Sequence, residues 1–284
     1  MSVINTNVNA LSAQNSMTVN SRSMSTAMNQ LATGKRVNGA KDDAAGLAVI
    51  NTMTSQIRGL NQAVRNANDA ISLLQTADGA MVEQTNMLQR MRELSVQAAT
   101  DTVTNTQKAY LKTEFDALKT EIDRIGGNTQ WNDTKLLDGV GGASGTAGKY
   151  SFQVGTSGTG ATQLITVDVG NASTAAGGLY VAITADDIST TAGAKTAITN
   201  LDTAIVQSNS ARAKIGAGIN QLTYAADNLS NISTNTSASR SRIQDTDYAA
   251  ASSELARTQI IQQAATAMLA QANQAPQSVL ALLK

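Results

Sequence analysis

The chain has 284 residues, with 21 Lys+Arg against 21 Asp+Glu, no His, no Cys, one Pro and eight aromatic residues. These absences exclude a Ser-His-Asp triad, a cysteine nucleophile, a disulfide framework and an imidazole or thiolate zinc site. Zero net charge argues against a nucleic-acid or anionic-membrane binder, which would carry a basic excess. About 36% of the residues are Ser, Thr, Asn or Gln, so the surface is polar without being charged, and the length suggests two domains.

In chain order, Met1-Ser2-Val3-Ile4-Asn5-Thr6-Asn7 lacks the basic and apolar regions of a cleaved secretory signal. Residues 1–34 carry one charge, Arg22, and a thin heptad seam of Ala10, Met17, Met24 and Leu31, with Leu11 and Met28 beside it. A long helix is expected to begin near Asp42-Asp43, after an Asn38-Gly39 turn, because acidic residues favour a helix N-terminus. Its apolar residues recur at Ile57, Val64 and Ile71, and at Leu60, Ala67, Leu74, Met81 and Leu88. A second helix shows Leu111, Leu118 and Ile125 interleaved with Phe115 and Ile122.

Fourteen of the 21 glycines then fall between Gly126 and Gly193, which predicts turns and strands there. Tyr150–Val154, Leu164–Val169 and Leu179–Thr184 read as strands, the first two as a hairpin. A third long helix follows, with Ile198, Ile205, Ile219 and Ala226 beside Leu201, Ile215, Leu222 and Leu229; Ser208 and Arg212 interrupt its seam. Near the C-terminus, Ile261, Met268, Ala275 and Leu282 repeat by seven alongside Ala265, Ala272 and Val279. Thr258–Leu283 is uncharged but too rich in Gln, Asn and Thr to span a bilayer.

The fold class expected is mainly α with a small β part: an elongated antiparallel helical bundle with long coiled-coil helices, a central β-hairpin region and paired terminal helices. The terminal seams hold few large side chains, each worth about 1.5–3 kcal/mol if fully buried. Ordering their backbone costs about 1–2 kcal/mol per residue. The hypothesis that follows is that both ends are disordered in the monomer and fold when many copies bury their seams together. Well-dispersed amide signals throughout residues 1–40 of the monomer would contradict it.

Several motifs have plainer readings than chemistry. Gly139–Tyr150 is glycine-rich like a phosphate loop, but no Ser or Thr follows Lys149 and no strand runs through it into a helix, so it reads as a connector. Asp42-Asp43 and Asp186-Asp187, without partner ligands, read as helix starts or turns. Arg90, Glu93 and Leu94 lie within one turn of a helix, where a solvated face is the simplest reading.

Longer motifs carry a resemblance. Lys41-Asp42-Asp43-Ala44-Ala45-Gly46-Leu47-Ala48, Met53-Thr54-Ser55-Gln56-Ile57-Arg58-Gly59-Leu60-Asn61-Gln62-Ala63 and Arg65-Asn66-Ala67-Asn68-Asp69 stand in order, followed by Glu121-Ile122-Asp123-Arg124-Ile125, Lys135-Leu136-Leu137-Asp138-Gly139 and Phe152-Gln153-Val154-Gly155. At the other end stand Ala238-Ser239-Arg240-Ser241-Arg242-Ile243, Gln262-Gln263-Ala264 and Met268-Leu269-Ala270-Gln271-Ala272-Asn273-Gln274. Together these resemble bacterial flagellin over about 1–140 and 195–284, and more loosely through the hairpin.

The resemblance implies a structural, non-enzymatic, self-assembling filament subunit without cofactor or metal, outside the cell on the flagellum. It implies a terminal coiled-coil domain of 1–44 plus 243–284 in the inner filament core. A helical-bundle domain of 45–242 would include the hairpin region at about 138–190, with the variable outer domain absent or reduced to the loops near 139–149 and 171–195. It further implies export through the flagellar type III apparatus without a cleaved signal. The partners would be further copies of the chain, an export chaperone on the C-terminal segment, filament cap and hook-associated proteins, and host flagellin receptors; nucleic acid and membrane insertion are not expected.

Gln89, Arg90, Glu93, Leu94 and Glu114 match the face engaged by the animal Toll-like receptor for flagellin, which the resemblance also implies is a filament contact. Residues 29–50 match the peptide sensed by the plant receptor kinase, through Leu31, Thr33, Gly34, Arg36, Asn38, Lys41, Asp42, Asp43, Gly46 and Leu47; the match departs at Asn29, Gln30, Gly39 and Ala48 to Ile50. The terminal assembly seam would be Ala10, Met17, Met24, Leu31, Ile261, Met268, Ala275 and Leu282. The hook–filament junction protein, with similar termini, and an adhesin built on the central strands remain as other readings. A filament-borne zinc protease would need a His motif that the chain lacks.

Overall fold

The computed structural model describes residues 6–140, 148–156, 163–174 and 177–281, with side chains through 274 in the last helix. Among these residues lie five helices and two small antiparallel sheets, in agreement with the expected mainly α class with a small β part. The chain divides into two compact units, residues 58–233 and residues 1–57 with 234–284. The parts of the glycine connector at 141–147 and of the hairpin loop at 157–162 lie outside the described residues.

The 58–233 unit is built on three helices: α2 (Ala44–Ala98), α3 (Asn105–Asn128) and α4 (Thr191–Gln244), the outer ones extending beyond the unit. A capping box starts α3: Thr104 Oγ1 accepts the Gln107 N–H, and Gln107 Oε1 accepts the Thr104 N–H at 2.9 Å. The expected α2 seam is buried at Leu60, Ala67, Leu74, Met81 and Leu88, and Phe115 and Ile122 of α3 are fully buried with it. Asn61, Asp78 and Thr85 of α2 bond Ser233, Arg212 and Ser208 of α4, so these helices run antiparallel. Ser208 and Arg212, which break the apolar seam, thus have polar partners across it.

The buried row of α4 differs in phase from the expected one. Ala197, Ala204, Ala211 and Gly218 lie in it with Leu201, Ile215 and Leu222, whereas Ile198, Ile205 and Ile219 are half-buried flanks. Small residues let the α4 backbone approach its neighbours: a Cβ on Gly218 would stand 2.6 Å from Val167 Cγ2.

Strands β1 (Gln130–Trp131) and β2 (Thr134–Lys135) form a short hairpin that the sequence reading missed. Its two-residue turn, Asn132-Asp133, has φ of 47° and 62°, a left-handed geometry that Asn and Asp tolerate. The expected hairpin is present as β3 (Lys149–Gln153) and β4 (Leu164–Asp168), with Tyr150 opposite Val167 and Phe152 opposite Ile165. Leu179–Thr184 is not a strand. Tyr180 and Ile183 are both fully buried, three residues apart on a 3₁₀ turn at Val181–Ile183, and Val181 is exposed.

In the other unit, α1 (Val8–Thr33) packs against α5 (Tyr248–Ala281). Asn7 caps α1 by accepting the Ala10 N–H, and Gly34 ends it at φ 69°. Asp43 Oδ1 accepts the Gly46 N–H at 2.8 Å, so α2 starts where expected, while Asp42 closes the turn before it.

Candidate functional site

Three surfaces hold the residues singled out in the sequence. The first lies in the 58–233 unit. Arg90 reaches across from α2 to α3, with Nε 2.9 Å from Glu114 Oε1 and Nη1 3.0 Å from Glu93 Oε2. Its hydrogen bonds to the Glu114 and then the Glu93 carboxylate raise the Arg90 pKa above its ordinary value. All three side chains are about half exposed or more, so the cluster presents a charged face with one more carboxylate than cation. Gln89 is exposed beside it. Leu94 is not part of this face: it is 1% exposed and, with Leu88 and Met91, points into the core as the helical period requires. The structure therefore brings Arg90, Glu93 and Glu114 together and places Leu94 beneath them.

The second surface is the turn between α1 and α2. Arg36 donates from its backbone N–H to the Gln244 carbonyl and from its guanidinium to the Ile243 carbonyl at 2.7 Å, and Thr246 N–H donates to the Gly34 carbonyl. Lys35 and Asp245 form a β-bridge between the same segments. Asp42 Oδ2 accepts the Asn38 and Gly39 N–H groups at 3.0 and 3.1 Å, and Val37 is buried as the apolar anchor. Thr33 Oγ1 donates back to the Asn29 carbonyl. Lys41 is exposed, and Gly46 and Leu47 are half-buried. A cleft of about 230 Å³ opens here, lined by Arg22, Asn29, Gln30, Asn38 and Lys41 among others.

The third surface is the α1–α5 pair. Ala10, Met17, Met24 and Leu31 are half-buried in its seam, as expected, but the fully buried positions of α1 are Asn20 and Ala27. On α5 the covered positions are Ala251, Leu255, Thr258, Gln262, Ala265, Leu269 and Ala272. Ile261 and Met268 are not in this seam: they are 39% and 64% exposed, on the side of α5 away from its covered row. The Ala275 side chain and Leu282 lie outside the described residues. Asn20 escaped the sequence reading, although its place between Ala13 and Ala27, each seven residues away, was there to be found.

No group of three or more acidic residues suited to a metal occurs among the described residues, and no described helix is long and apolar enough to cross a membrane. The shifted ionisable groups have structural causes. Burial pushes Tyr150 up to about 12, with the Asp138 charge adding to it, and its hydroxyl donates to the Lys135 carbonyl at 2.6 Å. Burial raises Asp186, whose Oδ1 accepts from Asn200 at 2.6 Å. Gly148 leads into strand β3, not into a helix, so the glycine connector has no phosphate-loop ending.

Comparison with known proteins agrees with the resemblance. The profile of the bacterial flagellin N-terminal helical region matches residues 4–141, and that of the C-terminal helical region matches 198–283. Flagellin of Halalkalibacterium halodurans is 43% identical over 282 residues, covering 99% of this chain and all of that one. Polar flagellin F of Vibrio parahaemolyticus is 35% identical over 372 aligned positions, with 99% of each chain covered. That span exceeds 284 residues, so the relative carries segments this chain lacks. A structure of a candidate flagellar hook-associated protein from Vibrio parahaemolyticus shares the fold, with a TM-score of 0.58 at 14% identity, covering 72% of this chain and 100% of that one. The chain belongs to the bacterial flagellin family, whose members are structural subunits of the flagellar filament.

Proposed function

We propose that this subunit joins the filament through α1 and α5, which order fully only as neighbouring copies cover them. One observation carries this reading: α1 buries only Asn20 and Ala27 among its described residues, and neither is a large apolar side chain. Val8, Leu11 and Val19 are 61%, 63% and 51% exposed, on the face of α1 turned away from α5 by the 3.6-residue period. Ile260 and Met268 are similarly open on α5. Backbone ordering costs about 1–2 kcal/mol per residue, and the contacts within one chain are too thin to offset that over 26 residues. Further copies supply the missing burial.

The Arg90–Glu93–Glu114 face serves as a subunit contact that the animal flagellin receptor also engages. Leu94 supports this face from below. The turn over 29–50 is the segment available to the plant receptor kinase. Family membership supports export of the chain through the flagellar type III apparatus. It also supports handling of the C-terminal segment by a chaperone, assembly with cap and hook-associated proteins, and a division into a terminal domain (1–44 plus 243–284) and a bundle domain (45–242). A chain without cysteine carries no cross-link to hinder threading.

Seeded polymerisation tests the proposal. A variant lacking residues 1–30 is expected to stay soluble and helical yet fail to extend filament seeds under negative-stain microscopy. Normal filaments from that variant would overturn it.

A further inference from the structure

The α1–α5 seam contains one polar side chain from α1 that is almost fully covered. Asn20 is 8% exposed, and its Nδ2 donates to the Thr258 carbonyl at 2.8 Å and to Gln262 Oε1 at 3.1 Å. Thr258 is 1% exposed, and its own hydroxyl is spent on the Glu254 and Leu255 carbonyls of its helix. Nearer the N-terminus, Asn7 Nδ2 donates to the Ala272 carbonyl at 2.7 Å. Thirteen residues along α1 thus correspond to fourteen along α5 in the opposite direction, one antiparallel register.

The apolar part of the seam does not define that register. Along α1 the large seam residues Met17, Met24 and Leu31 repeat by seven, so a slip of seven sets Met17 where Met24 stood, Met24 where Leu31 stood and Asn20 where Ala27 stood. On α5, Ala265 and Ala272 repeat by seven, as do Leu255 and the stem of Gln262 with Leu269. Asn20 distinguishes the observed pairing from a slipped one, because after a slip Leu255 or Leu269 stands where Gln262 accepted, and the amide loses that acceptor while remaining covered, which is costly. A single polar residue in an apolar seam is a recognised way to select register at some cost in stability.

We infer that Asn20 is the register-determining residue of the terminal helix pair: it selects the pairing in which Thr258 and Gln262 stand opposite, and with it the arrangement of apolar side chains offered to neighbouring copies. This rests on the reading that α1 and α5 pair within the assembled subunit.

The chain has no cysteine, so introduced pairs can be read directly. The observed register places Met24 opposite Leu255, and a one-heptad slip would place Met17 there. Met24→Cys/Leu255→Cys and Met17→Cys/Leu255→Cys are made in full-length chains with Asn20, Asn20→Leu or Asn20→Ala. Each is assembled into filaments and oxidised, and disulfides within one chain are scored on denaturing gels. With Asn20 the first pair is expected to exceed the second by about tenfold, the ratio that a hydrogen-bond difference near 1.4 kcal/mol supplies. With Asn20→Leu or Asn20→Ala the two yields should come within about twofold, on the same scale. If these variants do not assemble alone, they are doped into excess unsubstituted subunits and scored in the same way.

An unchanged preference for the first pair in every background overturns the register assignment and leaves the assembly reading intact. Absence of both pairs in filaments carrying Asn20 would instead remove the α1–α5 pairing on which both rest.

Discussion

The two units of this chain solve opposite problems. Residues 58–233 carry a core of their own, in which Leu74, Met81, Leu88, Phe115, Ile122, Tyr180 and Ile183 are wholly buried. The terminal helices have similar heptad spacing, but their large seam residues are only half-buried, and Val8, Leu11, Val19, Ile260 and Met268 face outward. Helical periodicity alone therefore does not make a stable folded element; the volume of what the seam buries decides whether the element stands alone. On the proposed reading the subunit has both kinds, one rigid before assembly and one that assembly completes.

This contrast can be broken most forcefully in the core. Phe115→Ala is expected to cost the soluble subunit about 3–5 kcal/mol in denaturant unfolding. Val19→Ala, at an exposed site, should leave that unfolding unchanged and slow seeded filament growth. Equal loss of subunit stability from the two would show that the terminal helix is already packed in the monomer. Next in size is the polar link between α2 and α4. Thr85→Val leaves Ser208 without its 2.8 Å partner inside the core, and about 1–3 kcal/mol of stability should be lost. The double variant Thr85→Val/Ser208→Ala should cost less than the two single changes added together.

A smaller effect concerns acidity. Burial raises the Asp186 pKa in the folded chain, and Oδ2 has no hydrogen-bond partner among the described residues. The folded state therefore holds this proton more tightly than the unfolded one, and the site loses stability as pH rises through its folded pKa. Relative to Asp186→Asn, the unsubstituted subunit should gain stability as pH falls from neutral into the carboxylate range. Parallel stability profiles of the two proteins would refute this. Smallest for the fold is Arg90→Glu. Its ion pairs are exposed and contribute little to stability, so melting should hardly change, while receptor activation by the monomer falls sharply and filament growth is impaired. Full signalling by the Arg90→Glu monomer would remove the recognition face from the account.

Most of the helical framework was legible in the sequence because α2 and α3 place large side chains on their buried rows. The errors share one cause. In α4 the isoleucines at 198, 205 and 219 mark a flank, and the true contact runs through Ala197, Ala204, Ala211 and Gly218. In α5, Ile261 and Met268 mark an open side, and Ala251, Ala265 and Ala272 mark the covered one. Counting large residues finds the apolar stripe, but the face of closest approach between helices belongs to small ones. Leu179–Thr184 misled differently: Leu179, Val181 and Ile183 alternate as in a strand, but the buried residues are Tyr180 and Ile183, three apart on the turn. Leu94 was expected on the Arg90 face, although the helical period that buries Leu88 and Met91 turns it inward; the pairing of Arg90 with Glu114 needed the packing of α2 and α3.

Hydrogen exchange on the same protein before and after polymerisation tests the central claim most directly. In the soluble subunit, amides of α1 and of α5 beyond Ala251 should exchange orders of magnitude faster than those of 60–98 and 194–229. In filaments all of these segments should be protected. Equal protection of α1 and of the 58–233 core in the monomer would contradict the claim that assembly completes the terminal helices.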